Sequence, residues 1–194
     1  MYTQADWDAT VIKVVRDIPK FKISFKDETP FQKLISKLSF WNSYEYYTTT
    51  LYPKVHFASQ WSIRHFPVST LEHEWVHLKD QETFFGLSSK KISWVNVSLF
   101  YFSYLIPQVF ALLALLAVFN LWWLLCLLFL LPLPAPFRAW AEVRAYRRSI
   151  ENGNSPEDVQ RAFTGAGYYF MWPFKAHLKK WLEGDSPYKK EMEA

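Results

Sequence analysis

Hydrophobic and polar positions change period several times along this chain, and each change marks an element. Phe21, Ile23 and Phe25 alternate with Lys22, Ser24 and Lys26, the period of a half-buried strand. Thr29-Pro30 then opens a helix, because proline suits a first turn, with Phe31, Leu34, Ile35 and Leu38 on one face. Residues 44–59 are rich in Tyr, Thr and Val and predict two short strands, 45–51 and 54–57. Pro53 between them makes at least one an edge strand, since proline donates nothing to a ladder. Ser69 and Glu72 are spaced as a capping box, which predicts a helix over 70–85 stopped at Gly86. Downstream, Pro136 opens a helix reaching about Glu151, before Asn152-Gly153. Ser155-Pro156-Glu157-Asp158 opens a shorter one, with its acids at the positive end of the helix. Gly165 and Gly167 break that pattern, and residues 168–172 read as an aromatic loop or strand. Residues 174–182 form an amphipathic helix with Lys175, Lys179 and Lys180 opposite Phe174, Leu178 and Trp181, and the tail after Gly184 reads as loose. A small sheet with helices first and helices alone afterwards is an α+β order.

One stretch obeys none of these rules. From residue 92 to residue 137, 46 consecutive positions carry no Asp, Glu, Lys, Arg or His, so every formal charge sits in the rest of the chain. Wound as one helix it would measure about 69 Å, against roughly 30 Å for the hydrocarbon of a bilayer. That length suits two passes, with Asn120, Trp122 and Trp123 at the tip. Lys90 and Lys91 precede the stretch, and Arg138, Arg144, Arg147 and Arg148 follow it. Basic residues at both ends put both ends, and both termini, on the cytoplasmic side. The second half is short, because Pro132, Pro134 and Pro136 interrupt it after Leu131. A re-entrant hairpin is therefore a close alternative, and a helix pair buried in a large assembly is the plain one. The amphipathic helix at 174–182 suits a membrane surface or ordinary packing equally.

The remaining composition narrows the field. With 194 residues and 20% aromatics the chain can bury the core of one domain, which excludes disorder as its main description. A net charge of +4 is too mild for a nucleic-acid binder. Cys126 is the single cysteine, so neither an internal disulfide nor a cysteine-based metal cluster is available. The first ten residues have no basic start and no apolar core, so no export signal is expected. The organisation reads as a core split by an insertion: 1–91, the hydrophobic hairpin 92–137, and 138–194.

Candidate chemistry centres on His73-Glu74-Trp75-Val76-His77. Residues four apart share a helix face, so His73 and His77 can present two imidazoles to one ion. Zinc accepts imidazole nitrogen, and a catalytic site needs three protein ligands with one place left for water. Glu74, beside the first ligand, can take that water's proton and pass it to a leaving amine. The bland alternative is two surface histidines and a salt-bridging glutamate. A third ligand has to come from elsewhere. His56, His65 and His177 are poorly placed, while Glu142 sits mid-helix among the small Ala139, Ala141 and Ala145, which would let that helix pack closely. Its own plain alternative is a solvated glutamate. Asp80 shares the face of the two histidines but lies too far along the axis to ligate, so it is expected to orient a ligand imidazole, or else to be a surface acid.

The strand pair, the motif helix and the later helix bearing Glu142-Val-Arg-Ala-Tyr146 resemble the gluzincin branch of zinc metallopeptidases, in its minimal single-core form. The resemblance implies that His73, His77 and Glu142 hold Zn2+ and that Glu74 is the general base. It also implies an edge strand that pairs with an extended substrate, at 54–59 or its neighbour, and a His or Tyr that donates to the transition state. Tyr146, Tyr168 and Tyr169 are candidates for that donor. The expectation is thus a membrane-associated zinc endopeptidase acting on polypeptides from the cytoplasmic face of a lipid bilayer. The alternative is a small membrane structural or bilayer-perturbing protein in which the motif merely packs or binds a structural metal.

Overall fold

The computed structural model describes residues 2–38, 44, 46–87, 94–131, 133–165 and 171–193. It is mostly helical, with one three-stranded mixed sheet, and so fits an α+β class. Helix α1 (Gln4–Asp17) comes first, and no expectation above covers it. Thr3 and Asp6 cap it reciprocally: the Asp6 amide donates to the Thr3 hydroxyl, and the Thr3 amide donates to the Asp6 carboxylate at 2.8 Å. Trp7, Val14 and the following Ile18 line its inner side.

Strand β1 (Lys22–Phe25), helix α2 (Pro30–Leu38) and strands β2 (Thr49–Leu51) and β3 (Lys54–Phe57) follow as expected. The first predicted strand of the pair is shorter than 45–51, and position 45 lies outside the described residues. The order is β1-β3-β2, with β3 parallel to β1 and antiparallel to β2. Pro53 therefore sits in the turn beside an edge strand, and that edge is β2; β3 is central. Helix α2 turns Gln32 inward and leaves Phe31 and Leu34 more than half exposed.

Helix α3 (Val68–Thr83) carries the motif and is the centre of the molecule. Leu71, Trp75 and Leu78 are fully enclosed with Val55, Phe57 and Ala145. Burial of such side chains stabilises by about 1.5–3 kcal/mol each. The expected capping box does not form. The helix starts at Val68 after Pro67, so Ser69 lies inside the first turn, beyond reach of the orphan amides, and no side chain caps the end. Glu72 instead accepts from Arg148 at 2.8 Å and from Asn152, a charge-assisted pairing that outweighs a neutral cap. The C-terminal end comes slightly before Gly86: Phe84 already adopts the left-handed conformation, and the Gly86 amide donates to Thr83 Oγ1.

Helix α5 (Pro136–Glu151) runs over the predicted residues and packs on α3. Its alanines divide the work: Ala145 faces the α3 core, while Ala139 and Val143 face a second cluster with Val159, Phe163, Leu178 and Leu182. That cluster is closed by α6 (Pro156–Thr164), capped by Ser155, and α7 (Lys175–Leu182). Residues 166–170, including Tyr168 and Tyr169, lie outside the described set. The tail is not loose. Tyr188 is buried against Trp75, and Glu191 of α8 (Lys189–Glu193) pairs with Lys79 at 2.8 Å.

The apolar insertion begins with α4 (Trp94–Tyr104), which docks on α3 and α5. A bend of 86° follows. Two antiparallel 3-10 limbs, Gln108–Val118 and Leu121–Leu130, then pack on each other around Asn120, and neither buries a side chain. Among the described residues no single helix is long and apolar enough to cross a membrane, although the bent pair formed by α4 and the first limb passes by length and composition together. Helix α4 meets both α3 and α5, so the described start of the insertion lies against the helix pair into which its far end runs. Of its basic flank, Arg144 and Arg148 are committed to buried acids of α3.

Candidate metal centre

His73 and His77 are one helical turn apart on α3, and α5 brings Glu142 across to them. His73 Nε2 lies 3.5 Å and His77 Nε2 3.6 Å from the same carboxylate oxygen, Glu142 Oε2. All three donor atoms fall within 4.8 Å of one another, and all three residues are buried. Donors held at about 2.0–2.2 Å from a tetrahedral ion stand about 3.4 Å apart. The imidazole–carboxylate gaps already have that spacing, so the group can hold one metal ion.

Neighbouring side chains fix the His73 ring. Ser149 Oγ, two turns along α5 from Glu142, lies 3.2 Å from His73 Nδ1. With the proton on Nδ1 the ring donates to Ser149 and leaves Nε2 to a metal. Tyr146 packs its ring edge-on to His73, with centroids 4.5 Å apart. Glu74 is buried, and its Oε2 accepts from Thr50 Oγ1 on the edge strand β2.

Charge in this pocket is coupled. Burial would push His77 down, but the Glu142 carboxylate and its hydrogen bond, with help from Glu74 and Asp80, lift it to about 9. Burial alone would raise Glu142; the His77 charge and hydrogen bonds from both histidines instead hold it well below the usual carboxylate range. In the ion-free protein a proton on His77 supplies the positive charge that the carboxylate needs.

Of the expected residues, Asp80 is placed differently. Asp80 does not accept from a ligand imidazole. It is fully buried and binds the Arg144 guanidinium through both oxygens, the shortest contact 2.7 Å, and the Tyr188 hydroxyl at 2.8 Å. Arg144 and Tyr188 satisfy its lone pairs more strongly than a neutral imidazole could. His56 Nδ1 pairs with Ser24 Oγ between β1 and β3, and His177 lies among Trp172, Phe174 and Trp181. A surface cleft lined by Trp7, Phe25, Arg64 and Phe66 shares no residue with the His-His-Glu group.

Three contacts were outside any sequence expectation: Ser149 on His73, Thr50 on Glu74, and Tyr104 on Glu142. The Tyr104 hydroxyl donates to Glu142 Oε1 at 2.6 Å. None has a local signature, since each joins residues far apart in the chain. No family model matches the chain, and no curated protein or solved structure matches it either.

Proposed function

We propose that the chain is a zinc-dependent peptide hydrolase held at a membrane surface. The observation that carries this reading is the convergence of two imidazole nitrogens and one carboxylate oxygen, with a buried glutamate next to the first imidazole. Two nitrogens and an oxygen with one place left open are a donor set that catalytic zinc uses. When bound, zinc supplies Lewis acidity, polarising a carbonyl and activating a water near neutral pH. The chain's own residues do the rest. Thr50 holds one oxygen of Glu74, leaving Oε1 to take a proton and return it to the leaving amine. The outer edge of β2, beside Glu74, supports a substrate that binds as an added strand.

The limbs support a dip into the membrane rather than a crossing. At about 2.0 Å per residue, limbs of 11 and 10 residues reach roughly 20 Å, short of the roughly 30 Å hydrocarbon layer. A re-entrant hairpin that enters and leaves one leaflet keeps α3 and α5 on the cytoplasmic side. Metal analysis of the purified protein, paired with cleavage of a peptide library, tests the reading. Near-stoichiometric zinc and cleavage abolished by chelation are expected. Protein that holds no metal and cuts nothing returns the chain to the structural alternative.

A further inference from the structure

The two oxygens of Glu142 have different neighbours, and the apolar insertion sets the difference. Oε2 faces both imidazole nitrogens, whereas Oε1 accepts the 2.6 Å hydrogen bond from Tyr104. A bond of that length to a carboxylate is at the short, strong end of the range. Tyr104 is the last residue of α4, and its ring is held from two sides. It stacks on Phe100 with centroids 5.7 Å apart, Phe100 meets Phe85 at 5.2 Å, and the Arg138 guanidinium lies 5.3 Å from the Tyr104 centroid. The hydroxyl is therefore fixed over Oε1 by packing as well as by the bond.

We propose that Tyr104 is a positioning residue that keeps Glu142 a one-oxygen ligand. The proposal rests on the metal-site reading above and adds what that reading lacks, a reason for the fourth place to stay open. A carboxylate can bind an ion through one oxygen or through both. With Oε1 committed to Tyr104, two-oxygen binding requires breaking a charge-assisted bond. Without the hydroxyl, Oε1 is released to swing onto the ion and occupy the place a water needs.

Cobalt(II) loading of the full chain tests this, because the intensity of its visible absorption falls as its coordination number rises. Wild-type protein is expected to show the intense absorption of a four-coordinate ion. Tyr104→Phe keeps the ring and its stacking, and is expected to bind cobalt at least as tightly with a weaker, shifted absorption. Tyr101→Phe is the control: its hydroxyl lies on the same helix but bonds to Gln81 and to the Tyr52 amide, so its spectrum should match wild type. A Tyr104→Phe spectrum equal to wild type overturns the proposal, as does an equal change in both variants. A second measurement needs no variant. The metal-minus-apo infrared difference spectrum of the wild type, isotope-edited at glutamate, should show the wide carboxylate splitting of one-oxygen ligation, and a narrow splitting overturns the assignment. Wild-type protein that takes up no cobalt overturns the metal site itself, and this role with it.

Discussion

The seam between α3 and α5 and the tip of the insertion are opposites. In the seam the chain buries charge: Glu72, Glu74, Lys79, Asp80 and Glu142 are all at most 8% exposed. At the tip it exposes apolar surface: Val118, Phe119, Leu121 and Trp122 are all at least 75% exposed. A buried charge needs a partner, and a large exposed apolar surface needs a cover. Most of the seam supplies its own partners, with Glu72 on Arg148, Lys79 on Glu191 and Asp80 on Arg144. The His73–His77–Glu142 group does not, since only a proton offsets the carboxylate there. The two regions thus ask for different things from outside the polypeptide, and under the proposed function these are an ion in one and lipid in the other.

The comparison breaks most completely if the triad is not a ligand set. Glu142→Ala should remove bound zinc and take peptidase activity to background, because two imidazoles on one helix leave the ion a ligand short. Zinc content by mass spectrometry checks it, and normal zinc in this variant would sink the ligand assignment. Glu74→Gln separates binding from chemistry. It should retain zinc and lower kcat by about 10²–10⁴-fold, since the amide cannot accept the proton. Normal turnover would remove Glu74 from the role of base.

Asp80→Ala sharpens the contrast inside the seam. Its carboxylate neutralises Arg144 and takes no part in the triad's contacts. Removing one partner of a buried pair destabilises a protein by about 3–5 kcal/mol. Zinc affinity at temperatures where the protein is folded should change little. Loss of zinc without loss of thermal stability would restore the imidazole-orienting role that the geometry denies it.

What the sequence made legible divides along the same line. The pairing of His73 with His77 could be read because a turn of helix is local, and α5 because Pro136 and Asn152-Gly153 mark its ends. Glu142 could be read because its alanine neighbours announce close packing. Ser149, Thr50 and Tyr104 could not, for contacts spanning 76, 24 and 38 residues leave no periodic trace. Asp80 was misread for the same reason, as its partners Arg144 and Tyr188 come from 64 and 108 residues away. Helix α1 does carry a local trace, the reciprocal Thr3–Asp6 cap at its start. In the insertion, charge-free length signalled an apolar hairpin, while hydropathy alone does not show the 86° bend after α4 that divides the length and shortens its reach.

At the tip, Phe119→Asp should leave folding unchanged, because the side chain is 84% exposed. If the tip lies in hydrocarbon, the acid costs about 2.5–3.5 kcal/mol there and weakens vesicle binding by about 10²-fold. Co-sedimentation with vesicles measures this, and equal binding by variant and wild type would mean that the tip is covered by something other than lipid.

The gentlest probe is pH, which acts on the seam through the proton that an ion would replace. His77 is raised from 6.5 to about 9 in the ion-free protein. A raised histidine stabilises the fold fully below its unfolded value, and that contribution is lost as pH rises from 6.5 through 9. Glu142 has the opposite sign: its depressed value gives stability above its usual 4.5 that is lost as pH falls. Ion-free protein should therefore melt highest between roughly pH 4.5 and 6.5 as far as this pair is concerned. Because an imidazole must be deprotonated to ligate, zinc binding below pH 9 must expel the His77 proton. Affinity should rise by about tenfold per pH unit up to about 9 and then level, with one proton released per ion from this residue. Titration calorimetry in buffers of different ionisation enthalpy counts that proton. An affinity flat from pH 6.5 to 9 would show that His77 is already neutral, and that the carboxylate in the seam finds its positive partner elsewhere.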